Sequence, residues 1–335
     1  SWATIAGMEW DLIGHTWAVR MLQHHLSTGQ LRHAYLFTGP KEVGKRSLAL
    51  RFAMAINCSA TTPEDKPCGK CLNCRQIQHM QHADLFVVQA ESEGQVLKVE
   101  QIRELQHQLS LAPYQSNFRI GLLLRMEEAN ESAQNALLKT LEEPNDKVIL
   151  LLTANMVENL LPTIPSRCEI ISLRPLPITQ LAAELQTRED IDIEKAKLLA
   201  HISGGRPGFA LQLLHDPDQL QRRNDWLEDI TFLLRANHRE RFAYCERNLY
   251  SRKEERTAIR ERLNEALHVW LSYWRDVLIT IWAANIPLIN LDRTDQIQQL
   301  SKTISASRAC HLTRRLESSL TRLTNANLRL LAESI

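Results

Sequence analysis

Two groups of residues in this chain have the types and spacings that binding chemistry requires. The first is Gly39-Pro40-Lys41-Glu42-Val43-Gly44-Lys45, which fits G-x-x-x-x-G-K and follows the apolar run Ala34 to Phe37. In that pattern the glycines let backbone N–H groups close around phosphate oxygens. The lysine adds positive charge, and the dipole of the following helix favours an anion. Gly39, Gly44 and Lys45 are therefore the candidate phosphate-binding residues, with ATP or ADP as the candidate ligand. The next position departs from the pattern. Where Ser or Thr would hold Mg2+ the chain has Arg46, and Ser47 stands about 100° further around the helix. A phosphate can be accommodated by these residues; Mg2+ binding is not expected.

The second group is Cys58, Cys68, Cys71 and Cys74, a C-x9-C-x2-C-x2-C spacing. Two x2 turns aim three thiolates at one point, and the fourth arrives from the end of the preceding helix. Four thiolates satisfy tetrahedral Zn2+ and leave no position open for water, so the metal would be structural. The residues between them, Thr61 to Asp65, cannot build a core, and a metal would supply the order they lack. Disulfides, an iron–sulfur cluster and four unrelated buried thiols are the alternatives. The amino terminus has neither the charged nor the apolar region of a signal peptide, which argues for a reducing, cytoplasmic setting and against disulfides. Cys168, Cys245 and Cys310 are isolated in sequence and are expected to be core thiols.

The surrounding pattern supplies the elements that would position these residues. Apolar runs at Ala34 to Phe37, Ala83 to Gln89, Ile120 to Leu124, Val148 to Leu152 and Glu169 to Leu173 read as strands. Between them, Ser47 to Ile56, Lys98 to Leu109 and Asn130 to Leu141 have helical spacing, as does Trp10 to Ser27 before the first. Strands alternating with helices predict a parallel sheet covered on both faces, with ligands at the carboxyl ends of the strands. From Ile178 onward the pattern is helical: Ile178 to Gln186, Ile193 to Ile202 and Pro207 to Leu214 predict a small lid. A longer apolar periodicity through Leu263, Leu267, Trp270 and Trp274 predicts a further helical domain. At 335 residues, 24% charged and net charge +1, the chain is neither a disordered tail nor a broadly basic nucleic-acid coat. The longest mostly apolar stretch, Val277 to Ile289, is about 13 residues, too short to span a bilayer.

Asn135-Ala136-Leu137-Leu138-Lys139-Thr140-Leu141-Glu142-Glu143-Pro144, Ser166-Arg167-Cys168, His33-Ala34-Tyr35-Leu36-Phe37 and the cysteine cluster together resemble the bacterial DNA polymerase III clamp-loader AAA+ family. The likeness covers about the first 210 residues. Beyond them it rests on helical character and on Tyr273-Trp274-Arg275-Asp276. It implies an AAA+ α/β domain at 1–176 containing the zinc module at 58–74, an all-α lid at 177–216 and an all-α collar at 217–335. It also implies, as partners, gamma/tau-type ATPase and delta-type subunits of a hetero-oligomeric ring and, through them, the sliding clamp and primer-template DNA.

The family's metal-holding Asp falls on Arg125 or Leu124, with Glu127 and Glu128 further on, and Gly208 stands where motor subunits carry a sensing arginine. Arg167 matches the arginine that enters a neighbour's ATP site in trans; the alternative is a local pair with a carboxylate such as Glu169. The resemblance therefore points to a stator subunit with little ATPase activity of its own. The rival readings are an active gamma/tau-type ATPase and a zinc-stabilised DNA-binding module unconnected to a loader.

Overall fold

The computed structural model describes residues 10–250, 254–323 and 327–334. The stretch 1–9, on which the compartment expectation rests, lies outside them. The chain divides into two compact units, one of Ser1–Glu184 with Arg206–Gly208 and one of Leu185–Gly205 with Phe209–Ile335. Among the described residues no helix is long and apolar enough to cross a membrane.

The first unit contains β1 (Ala34–Thr38), β2 (Leu85–Val88), β3 (Arg119–Leu123), β4 (Val148–Ala154) and β5 (Glu169–Ser172). They form one sheet in the order β2-β3-β4-β1-β5, and every pairing is parallel. The helices are α1 (Thr16–Ser27), α2 (Lys45–Ile56), α3 (Leu72–Gln78), α4 (Val99–Leu109) and α5 (Glu131–Glu142), with α6 (Ile178–Glu189) following β5. Side chains alternate across each strand, so β1 serves two cores. Tyr35 and Phe37 pack with Leu22 of α1, Leu48 and Phe52 of α2 and Ile77 of α3. Ala34 and Leu36 pack with Ile102 and Leu105 of α4 and Leu137 and Leu141 of α5. β1, β3 and β4 are buried along their whole length, which is why they read as nearly unbroken apolar runs.

Local signals set the ends of the helices. The side chain of Asn130 accepts from the Ala133 amide and starts α5, and Pro144 follows its end. α2 begins at Lys45, two residues earlier than periodicity suggests, because Gly44 has φ 111° and turns the chain directly into the helix. The buried carboxylate of Asp84 secures the loop before β3. It accepts from the amides of Tyr114 (2.7 Å), Gln115 (2.9 Å) and Ser116 (3.0 Å) and from the Ser116 hydroxyl (2.8 Å). Burial pushes this carboxyl up, but those hydrogen bonds outweigh it and hold it below the usual carboxylate range.

Among the described residues the regular elements of the second unit are helices: α7 (Ile193–Ile202), most of α8 (Pro207–His215), α9 (Pro217–Arg235), α10 (His238–Tyr244), α11 (Arg256–Ile281), α12 (Thr294–Thr303), α13 (Ala306–Arg322) and α14 (Leu328–Ser334). α11 is its axis, and Leu263, Leu267, Trp270 and Trp274 lie in the core, as their spacing predicts. A buried polar network ties α9 and α11 to the chain after α11. Asp276 accepts from the amides of Ile289 (3.1 Å) and Asn290 (2.7 Å) and from Asn290 Nδ2 (2.9 Å). Arg223 of α9 donates to Asn290 Oδ1 (2.8 Å) and to both oxygens of Asp292 (2.8 and 3.0 Å). Phe232, Phe242 and Trp282 remain exposed.

Two outcomes are expected. Asp84→Asn should destabilise the first unit by roughly 2 kcal/mol at pH 7. Because the native carboxyl is depressed, its contribution is complete above the unfolded value of about 3.9 and is lost as pH falls through the lower native value. Denaturant curves of the two proteins should therefore converge in acid. Asp276→Ala orphans several buried donors and should cost the second unit roughly 3 kcal/mol, read as a lower urea midpoint.

Candidate functional site

The glycine loop leaves the carboxyl end of β1, and two polar side chains from the ends of other strands, Asn155 and Glu127, meet it there. Lys45 Nζ donates to the carbonyl of Gly39, to that of Pro40 (2.8 Å) and to Oδ1 of Asn155 (2.9 Å), just past β4. An ammonium has three protons, and the chain supplies an acceptor for each. Burial lowers the lysine's pKa to about 8, with Glu127 and Glu42 pulling the other way. Glu127, just past β3, accepts from the Asn155 amide at 3.3 Å. Gly39, Gly44 and Lys45 are thus brought together as their motif predicts. Asn155 and Glu127 join them, marked in sequence only by their place after buried strands.

The loop is also packed from outside. Gly39 has φ 140°, and a Cβ there would lie 2.3 Å from the carbonyl oxygen of Leu173. The amide of Gly208 donates to the carbonyl of Glu42 at 2.9 Å, and a Cβ on Gly208 would lie 2.7 Å from that oxygen. No side chain fits at 208 with the loop in this position. His15 Nε2 meets the carbonyl of Val43 at 2.8 Å, so the lead-in to α1 braces the loop as well.

Arg46 and Arg125, two of the positions at which the resemblance would place Mg2+ ligands, have other engagements. Arg46 is exposed and reaches Sδ of Met80 at 3.5 Å. Arg125 has left-handed backbone, φ 54°. Its amide donates to Thr153 Oγ1 (2.9 Å) and its Nε to Glu128 Oε2 (2.9 Å). The other oxygen of Glu128 accepts from the Gly94 amide at 2.9 Å. Leu124 is buried.

The sulfurs of Cys58, Cys68, Cys71 and Cys74 all lie within 4.8 Å of one another. A tetrahedron of thiolates at about 2.3 Å from a central ion needs sulfurs about 3.8 Å apart, so the cluster can hold a metal ion with little movement. Backbone amides donate to three of the sulfurs: Cys68 N to Cys58 Sγ (3.3 Å), Cys71 N to Cys68 Sγ (3.3 Å) and Cys74 N to Cys71 Sγ (3.4 Å). Such bonds favour the charged thiolate. At Cys71 burial pushes the thiol up, but hydrogen bonds from Ser59 and Cys74 outweigh it and bring the pKa to about 6. The module packs on α2, with Cys58 and Cys74 buried in the core below. Cys168, Cys245 and Cys310 are partly buried and lie outside this cluster.

Arg167 occupies a different place. It ends the short turn Pro165–Arg167 just before β5, at the amino ends of the strands, and pairs with Glu142 at 2.7 Å. Glu169 instead faces Arg32 at 3.8 Å.

A parallel sheet with a glycine loop between an inner strand and a helix, and polar residues gathered at the carboxyl ends of other strands of the sheet, defines a P-loop α/β protein. Residues 14–177 match the family described as DNA polymerase III, delta subunit. The chain is 37% identical over 176 residues to DNA polymerase III subunit tau of Escherichia coli (strain K12), covering 52% of this chain and 27% of that protein. It is 34% identical over 208 residues to subunit delta' of Pseudomonas aeruginosa, covering 62% of each. To subunit delta' of Bacillus subtilis (strain 168) it is 33% identical over 185 residues, covering 55% of each. The chain thus spans from about a quarter to three fifths of the length of these relatives. It belongs to the clamp-loader AAA+ family.

Addition of Co2+ to the reduced, chelator-treated chain should produce the absorption of a tetrahedral thiolate complex, and Cys71→Ser should weaken it. Chelation should lower the thermal midpoint by about 10 °C, as expected for roughly 4 kcal/mol of metal linkage in a unit of this size.

Proposed function

We propose that this chain is the delta-prime-like stator of a DNA polymerase III clamp loader. In this reading it holds the geometry of a cytoplasmic ring built with gamma/tau-type and delta-type subunits, which opens a sliding clamp and sets it on primed DNA. It divides into the AAA+ domain, a lid at 177–216 and a collar at 217–335, and Zn2+ fills the four-cysteine site. Its contribution to catalysis is Arg167, offered to the ATP site of a neighbour; such fingers are worth about 10³ to 10⁵ in rate.

The observation that carries this reading is the position of Arg167. Its strand, β5, starts with Glu169 opposite Tyr35, and the loop begins at Gly39. The run from Tyr35 to Gly39 alone covers about 13 Å, so Arg167 and the chain's own phosphate loop stand at opposite ends of the sheet. An arginine so placed acts on another subunit's nucleotide or on none. Arg46 and Arg125 in place of metal ligands, and the pre-engaged Lys45, support the same reading. One feature favours an ATPase instead: Glu127 lies within the field of Lys45 and could stand in for the missing carboxylate.

ATP turnover by a reconstituted loader with clamp and primed DNA separates the two. Arg167→Ala should reduce turnover at least 100-fold with assembly intact, while Lys45→Ala should change it less than about threefold. The reverse pattern would make this chain a motor.

A further inference from the structure

We infer that Glu142 is a positioning residue for Arg167, fixing the guanidinium before a neighbouring subunit meets it. The inference rests on the reading of Arg167 as a finger in trans and extends it to a residue of a different element. Arg167 Nη1 donates to the Thr163 carbonyl (2.9 Å) and to Ser166 Oγ (3.2 Å), both within its own turn. Its Nη2 meets Oε1 of Glu142 at 2.7 Å, and Glu142 is the last residue of α5. Two nitrogens of the guanidinium are therefore held from two directions, one by the turn and one by a helix end.

A structural role does not account for this pair. The Glu142 side chain is 50% exposed and that of Arg167 33%, and ion pairs in contact with water contribute little to stability. Their effect on conformation is larger. Arginine has a long side chain with many rotamers, and ordering it at the moment of reaction slows the step. A partner that orders it beforehand removes that burden, and the third of the side chain left exposed remains within reach of an incoming anion. The register of the fold supports the assignment. α5 runs back from the carboxyl end of β3 to the amino end of β4, so its final carboxylate is delivered to the end of the sheet where Arg167 emerges.

The test uses the reconstituted loader with the full-length chain, clamp and primed DNA, and measures turnover against ATP concentration. Glu142→Ala should lower kcat roughly five- to tenfold with KM and assembly unchanged. Glu142→Gln keeps an acceptor for Nη2 and should recover most of the rate. In an Arg167→Ala background, Glu142→Ala should have no further effect. A normal or raised kcat for Glu142→Ala, with Arg167→Ala still strongly impaired, would overturn the inference and leave the finger standing; a raised value would mean that Glu142 restrains the arginine. If Arg167→Ala itself turns over normally, the finger reading fails and the positioning role fails with it. Loss of ring assembly by both Glu142 variants would also overturn it, since the pair would then be structural.

Discussion

Burial of the sheet on both faces is the constraint from which the arrangement of this protein follows. With α1, α2 and α3 on one side and α4 and α5 on the other, polar chemistry can occur only where the strands end. Parallel strands make those two ends unlike. At the carboxyl ends the glycine loop, Asn155 and Glu127 converge on Lys45; at the amino ends Arg167 and Glu142 meet. The length of the strands keeps the two sites apart.

The loop end is held by contacts within the chain. Lys45 finds its acceptors within the chain, Leu173 presses on Gly39, and Glu42 is bonded to Gly208. The cysteine module is organised differently. It has almost no apolar filling of its own, and the proximity of four sulfurs, with amides aimed at them, gives it shape. One site is ordered by contacts the polypeptide makes with itself, the other by a donor set arranged for a guest.

Much of this was legible in the sequence because periodicity and spacing are local. The parallel sheet, the glycine loop, the start of α5 at Asn130 and the clustering of the four cysteines all follow from residues a few positions apart. What escaped depends on strand order. β1 lies between β4 and β5, which brings Asn155 to Lys45 and Leu173 to Gly39 across more than a hundred residues. Nothing near Lys45 announces those partners. The same cause misdirects the local pairing of Arg167: Glu169 is two residues away, but it lies on a strand facing Arg32, while Glu142 arrives from α5. The polar network around Asp276 was likewise invisible, since a charged residue in a helix reads as a solvated face until its neighbours are known.

The contact between Gly208 and Glu42 bears on how such a chain could change over time. A threonine at 46 and an aspartate at 125 would supply two side chains suited to Mg2+, yet the carbonyl of Glu42 would still occupy the space that any side chain at 208 requires. A larger residue at 208, introduced first, would displace the loop and gain nothing. Each step is neutral or harmful until the others are in place, so their effects are strongly non-additive. On the proposed stator reading, single substitutions here remove the residues of a motor, and single substitutions do not rebuild them.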